Sequence, residues 1–232
     1  MRQFLTILSA ATATLATTVP AIANDAAHPT VVELYQSQGC SSCPPAIANI
    51  NAIAARPDVI ALTFAVTYWD QLGWKDTFAR PEYTQRQWDF AHGQGRGNVG
   101  TPQTVINGRV LANGGDRDEL LAAIRRADRG ASGSAISPAS GEVTIGGGSA
   151  KRPATIWLVR YDVRVLDVPI RAGENGGRTI AHRNVVRSLS SLGQWTGRET
   201  IVTVPPAGNP NLRSAILVQS GTGGPIIAAA KL

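Results

Sequence analysis

An α/β unit followed by a smaller all-β unit is the fold class this sequence predicts, and three observations predict it. Strand-like and helix-like segments alternate through the first half of the chain. Helical periodicity disappears after Arg129. A small, polar stretch over residues 130–141 (GASGSAISPASG) separates the two textures.

Residues 31–35 (VVELY) form a short, β-branched strand that ends at the loop QGCSSCPPA. Residues 46–55 carry Ile47, Ile50 and Ile53 three apart, one apolar face of a helix, and Arg56-Pro57-Asp58 ends it. Residues 59–68 (VIALTFAVTY) are nearly all apolar, as expected of a central strand covered on both sides. A polar, aromatic segment over 69–92 contains a helix at 81–91, which starts with a proline where its missing N–H is not needed. Four glycines make residues 93–100 a loop. Two strands, 102–106 and 109–112, then meet through Asn107-Gly108, a pair suited to the positive φ angles of a type I′ turn. Asp116 is placed to cap a helix over 116–128, with Glu119 three residues on. Leu120, Leu121 and Ile124 form its apolar stripe, and Arg125 and Arg126 lie near its C-terminus.

The order β-α-β-α-β-β-α is that of a thioredoxin-like core over residues 28–129. After the linker, strands are expected at 142–146, 154–163, 179–189, 200–204, 214–219 and 226–230. Gly, Pro and Asn clusters separate them, which predicts an antiparallel, sandwich-like domain over 142–232.

Residues 1–23 read as a secretory signal peptide. Arg2 is the only charge before Asp25, an apolar stretch runs over residues 4–19, and Ala21-Ile22-Ala23 completes the cleavage pattern, with the cut after Ala23. Thr, Ser and Pro20 interrupt the stretch, which is short for a span of about 20 apolar residues, so no stable membrane insertion is expected after cleavage. The expected location is periplasmic or secreted, where a disulfide can persist. The formal net charge of +6 is spread over scattered arginines with no run that alternates with aromatics, so a nucleic-acid partner is not expected.

Cys40 and Cys43 are the only cysteines of the 232 residues. A Cys-x-x-Cys pair can be a redox couple, half of a metal site or a structural staple. Where it ends a strand and opens a helix, unpaired N–H groups and the helix dipole favour the first sulfur as thiolate, the form that attacks disulfides. The second sulfur, more buried and one turn on, then resolves the mixed disulfide. Cys40 is thus the candidate nucleophile and Cys43 the resolving thiol. Pro44 and Pro45 fit the first helical positions, where N–H groups have no intrahelical partner.

Thr101-Pro102 stands directly before the hairpin. In thioredoxin-type proteins a cis proline there lies opposite the cysteines, and the backbone beside it accepts a substrate strand; a trans proline that merely starts a strand is the alternative. Glu33, on the first strand, is either a solvated carboxylate or a buried acid able to relay a proton to Cys43. Trp69 and Trp74, in the aromatic segment with Asp70, Lys75 and Asp76, are candidate groove residues, although aromatics also fill cores. For a metal, the two thiolates would suit a soft ion such as Cu(I). His28, His92 and His182 lack ligand spacing to the pair and are expected at the surface or hydrogen-bonded. No metal and no cofactor are expected.

Four stretches, VVELYQSQGCSSCPPA, YWDQLGWKDTFARPEYTQRQ, TPQTVINGR and GENGGRTIAHRNVVRSLSSLGQWTG, resemble in order those of the exported family called domain of unknown function 1223. The resemblance spans both predicted domains. It implies a thioredoxin-like domain followed by a β-rich one, with Cys40 and Cys43 as the redox pair and Thr101-Pro102 as the cis-proline turn. It implies no settled activity. Where that family often has His-Val-Asp-Tyr-Trp-Asp, residues 65–70 here read Ala-Val-Thr-Tyr-Trp-Asp, which removes an imidazole and a carboxylate from that strand end. Ala46 likewise stands where an Asp commonly follows the prolines.

The expected function is an exported thiol–disulfide oxidoreductase-like protein whose partners are protein or small-molecule thiols and disulfides. A copper carrier using the same two thiolates is an alternative, as is a non-catalytic binding module with a structural disulfide. The turn at 173–177 (GENGG), with Arg178, Arg183 and Arg187 nearby, is the feature through which the second domain could bind a partner or position the redox face; a sandwich whose arginines only solvate its surface is the plainer alternative.

Overall fold

The protein is described here by a computed structural model covering residues 26–127, 129 and 133–232. The signal peptide expected over residues 1–23 lies outside the described residues, as do positions 130–132 of the expected linker.

β1 (Thr30–Gln36) and β2 (Val59–Ala65) pair in parallel, Thr30 opposite Val59 through Gln36 opposite Ala65, and α1 (Pro44–Ile53) connects them. A single 3₁₀ turn, Asp70–Leu72, precedes α2 (Pro81–Gly93). β3 (Gln103–Ile106) runs antiparallel to β1 and forms a hairpin with β4 (Val110–Ala112). The turn residues Asn107 and Gly108 take φ of 47° and 65°, as the Asn-Gly pair predicts. α3 (Arg117–Arg126) is capped by Asp116, whose carboxylate accepts the Glu119 N–H at 2.8 Å.

Strand geometry divides the core in two. Successive side chains of β1 point to opposite faces, so Val32 and Leu34 pack with Ile47, Ile50, Leu120 and Ile124 of α1 and α3. Val31 and Tyr35 pack on the other face, with Tyr83 and Phe90 of α2.

The second half of the chain supplies β5 (Ile136–Ala139), β6 (Glu142–Ile145), β7 (Ala154–Asp162), β8 (Leu166–Pro169) and β9 (Thr179–His182). β10 (Val185–Trp195), β11 (Thr200–Thr203), β12 (Leu212–Ser220) and β13 (Ile226–Lys231) complete it. These strands do not build a sandwich of their own. Four of them extend the first sheet, giving the eight-stranded order β13-β12-β7-β10-β2-β1-β3-β4. A three-stranded sheet, β11-β6-β5, covers that extension and buries Val143, Ile145 and Val202 against Ile156, Leu158, Trp195, Ile216 and Val218. Two sheets are packed here, and the larger is shared with the first half, so the separate sandwich-like domain expected over 142–232 is replaced by an extension of the first sheet. β8 and β9 form a separate two-stranded ribbon.

The single strand expected over 179–189 is broken. Asn184 takes φ of 49° and divides it into β9 and β10, and β10 runs on to Trp195. The break joins the two halves: Asn184 Nδ2 donates to the carbonyls of Ala54 and Ala61, and the Thr63 N–H donates to the Asn184 carbonyl. Strand β5 lies inside the segment expected as linker. Among the described residues, no helix is long and apolar enough to cross a membrane.

Candidate functional site

The loop leaving β1 is folded by its own backbone. Cys40 N donates to Ser37 O and Cys43 N to Cys40 O, both at 3.1 Å, and Ile47 N to Cys43 O at 3.0 Å opens α1. Pro44 and Pro45 are its first two residues, where no intrahelical bond is lost. Cys40 and Cys43 are joined in a disulfide with Cα atoms 5.4 Å apart. Both are fully buried, on the α1 and α3 side of the sheet. The expectation of a more exposed Cys40 is thus corrected. The second half of the chain, whose Ile170 and Ile180 join the same cluster, closes over the pair.

The Thr101-Pro102 bond is cis. The Thr101 carbonyl accepts the Ser42 hydroxyl at 3.4 Å and lies 3.7 Å from Cys40 Sγ, a contact without a hydrogen while the disulfide is formed. Trp69 Nε1 donates to Thr101 Oγ1 at 2.7 Å, so this candidate residue braces the proline turn from the side. A cleft of about 350 Å³ opens beside Thr101 and Pro102, between Arg96, Leu111, Asn113 and Glu119.

Trp74 supports the cysteine loop rather than that cleft. Its Nε1 donates to Gln38 Oε1 at 2.9 Å, and Gln38 Nε2 donates to Thr77 Oγ1. Beneath them Asp76 accepts the N–H groups of Gln38 (2.7 Å) and Phe78 (2.8 Å). Burial raises its carboxyl to about 6, and these backbone bonds restrain the rise. The anchoring roles of Gln38 and Asp76 were not read from the sequence. Density of polar residues over 69–77 was the available signal, and it names no partner.

Glu33 does not meet the thiols. It shares the face of β1 with Val31 and Tyr35, whereas Cys40 and Cys43 lie with Val32 and Leu34 on the other. Fully buried, it takes two bonds from Arg86, Nε to Oε2 at 2.7 Å and Nη2 to Oε1 at 2.9 Å, and one from the Tyr35 hydroxyl at 2.9 Å. Burial, the largest influence, would lower the Arg86 pKa, but the charge and hydrogen bonds of Glu33, with Tyr35 and Asp89, together outweigh it and hold the pKa above its ordinary value. Burial first, and Glu33 second, push Tyr35 well up. The proton-relay role weighed for Glu33 is therefore corrected to that of a structural ion pair.

His182 is also corrected. It is fully buried, neither ring nitrogen has a hydrogen-bond partner among the described residues, and its ring stands edge-on to Phe78. Burial lowers its pKa to about 4. His92 lies over Trp88. Among the described residues, no group of three or more His, Cys, Asp and Glu side chains is arranged to hold a metal ion.

The family model "Protein of unknown function (DUF1223)" matches residues 31–219. A crystal structure of an Agrobacterium tumefaciens protein superposes with a TM-score of 0.72 at 31% identity, covering 88% of this chain and 93% of that one. HBP35 of Porphyromonas gingivalis superposes with a TM-score of 0.57 at 11% identity, over 88% of this chain and 74% of that one, a likeness of fold alone. A search among curated proteins finds no match.

Proposed function

The chain belongs to the DUF1223 family, and from that premise we propose that it is an exported, periplasmic or secreted, thiol–disulfide oxidoreductase-like protein built on a thioredoxin-like unit. One observation carries this: the only two cysteines form a disulfide at the start of a helix, with Cys40 Sγ 3.7 Å from the carbonyl that precedes cis Pro102.

In the reducing direction, Cys40 as thiolate attacks one sulfur of a partner disulfide. The partner's S–S bond breaks, its other sulfur leaves as a thiolate and takes up a proton, and a mixed disulfide forms on Cys40. Cys43, deprotonated, then attacks Cys40 Sγ and the partner's second thiolate leaves. Two electrons pass from the protein dithiol to the partner disulfide. In the opposite direction a partner dithiol delivers them. The helix that begins at Pro44 favours the Cys40 thiolate in both directions. Thr101 and Pro102 form the proposed docking edge, with Trp69 bracing it and Trp74 fixing the cysteine loop.

The test is the reduction potential of the Cys40–Cys43 disulfide together with the pKa of Cys40. Exchange chemistry requires a potential above about −300 mV and a Cys40 pKa below the free value of about 8.5. A lower potential with an unshifted thiol makes the disulfide a structural staple and ends the proposal.

A further inference from the structure

The turn over residues 173–178 lies on the cysteine loop. It is held rigid by its own bonds: Gly177 N donates to Ile170 O at 2.8 Å, Gly176 N to Gly173 O at 3.0 Å and Arg178 N to Asn175 O at 3.1 Å. Gly173, at φ of 74°, sits so close to Trp74 that a Cβ would lie 3.2 Å from that residue's Cβ. From this platform Asn175 reaches into the interior and is 0% exposed. Its Nδ2 donates to the carbonyl of Gln38 at 2.9 Å and to that of Cys40 itself at 2.8 Å. Its Oδ1 accepts Arg178 Nη1 at 3.1 Å, so every polar atom of the buried amide is used. Beside it, Glu174 Oε2 accepts the N–H of Ser41 at 3.0 Å.

These contacts oppose attack at Cys40 in two ways. Asn175 holds closed the loop that buries the sulfur. The Ser41 N–H is the amide next in the chain to Cys40, and the Glu174 carboxylate occupies it. A negative charge then stands on the amide next in the chain to a residue whose reactive form is itself negative. Hydrogen bonding from Ser41 holds the Glu174 carboxyl below its ordinary range, so the charge is present at neutral pH.

We propose that Asn175 and Glu174, supplied by the second half of the chain, are positioning residues of the thiol pair and act as a latch that a partner must displace before Cys40 reacts. The proposal rests on the thiol–disulfide reading above. Glu174 is exposed and its single bond is easily exchanged, whereas Asn175 is buried and bonds twice, so release begins at Glu174 and is completed at Asn175. Each vacated group belongs to the backbone of residues 38–41, and a partner's peptide groups can satisfy them in turn.

The experiment uses the full chain and its N175A, E174Q and E174D variants. Oxidised protein is mixed with excess dithiothreitol, and appearance of thiols is timed. Reduced protein, in a C43S background, is alkylated with iodoacetamide as a function of pH. N175A is expected to be reduced at least about tenfold faster than wild type. E174Q is expected to lower the midpoint of the alkylation profile by about one pH unit, equivalent to about tenfold in thiolate at a fixed pH below the midpoint. E174D, which keeps the charge, is expected to stay near wild type. A merely structural role for Glu174 would leave that midpoint where it is. Ready reduction at one rate in every variant, with an unmoved E174Q midpoint, overturns the latch alone. Resistance of all variants to dithiothreitol, with a potential below about −300 mV, overturns the oxidoreductase reading and the latch with it. If N175A loses native circular dichroism, the E174Q midpoint decides, because that side chain is exposed.

Discussion

Removing the Glu33 carboxylate is expected to cost stability heavily and leave the thiol chemistry untouched. Arg86 is 5% exposed and Glu33 fully buried, and the guanidinium spends two of its three bonds on Glu33 and the third on Gln219 Oε1 at 3.0 Å. Phe90, Trp157 and Phe64 surround the cation at 4.9, 5.6 and 5.9 Å from their ring centroids. In Glu33→Leu the cation keeps one hydrogen-bond acceptor and three ring faces but no anion. Breaking a buried pair from one side costs about 3–5 kcal/mol, a large fraction of a stability of about 5–15 kcal/mol. Arg86→Met is expected to cost as much, because it strands the carboxylate. The double variant is expected to recover most of that loss, since matched apolar replacement of a buried pair is near neutral. Equilibrium urea unfolding of the oxidised protein measures all three, with the slope checked for constancy. The alkylation profile of Cys40 in Glu33→Leu is expected to coincide with wild type, because the sheet lies between the two groups. A loss below about 1 kcal/mol would refute the ion-pair account, and a profile shift of a full pH unit would restore Glu33 as a relay.

Three further outcomes follow from the same packing. Asp76 binds its proton more tightly folded than unfolded, 3.8 rising to about 6, so its contribution of about 3 kcal/mol is full below pH 4 and is lost as pH rises through 6. His182, falling from 6.5 to about 4, costs about 3 kcal/mol as pH drops through that range; the two nearly cancel, so Asp76→Asn should make stability fall on acidification and His182→Leu should make it rise, and identical pH slopes in urea unfolding would contradict both. Asn107→Ala orphans the buried Val31 N–H and Ala127 carbonyl, each bonded at 2.8 Å, and is expected to lose about 2–5 kcal/mol, with Asn107→Gly losing less because φ is 47°. A Cβ on Gly223 would lie 1.8 Å from the Asp89 carbonyl, whereas one on Gly95, also at positive φ, meets nothing; thermal melts should show Gly223→Ala severely destabilised and Gly95→Ala changed by only about 1 kcal/mol.

The element order from β1 to α3 was legible because each element carries its own local signal. Three isoleucines mark one face of α1, Asp116 caps α3, and Asn107-Gly108 sets its turn without help from the rest of the chain. Partnership between strands carries no such signal. β7 and β12 are buried on both faces, with Ala215 and Leu217 in one cluster and Ile216 and Val218 in the other, but an apolar run does not name the strand it will pair with. The break at Asn184 escaped for a related reason, because its cause lies in the carbonyls of Ala54 and Ala61, over a hundred residues away. In the site, the cysteines were legible by residue type, whereas Thr101-Pro102 was legible only through its place before the hairpin, with a trans bond as the alternative. Asn175 was not: a Gly-Glu-Asn-Gly-Gly turn reads as solvent-exposed until the loop it caps is known.

The shared sheet changes how the two halves can be separated by experiment. Deleting residues 134–232 would strip β7, β10, β12 and β13 from β2 and expose the face where Tyr35, Leu62 and Phe64 pack with Val159, Val186 and Leu217. It would also remove Gln219 from Arg86 and Asn184 from Ala61, leaving a buried cation short of a partner and a carbonyl unpaired. Lost activity in such a truncation would report a collapsed core. Point changes at the turn over 173–178 avoid this, because among the described residues the side-chain hydrogen bonds to the first half run from Glu174 to Ser41 and from Asn175 to the carbonyls of the cysteine loop. Ile170 and Ile180 also pack in the cluster that holds the cysteines, so the proposed latch is tested at the polar side chains of the turn, which leave that packing and the shared sheet in place.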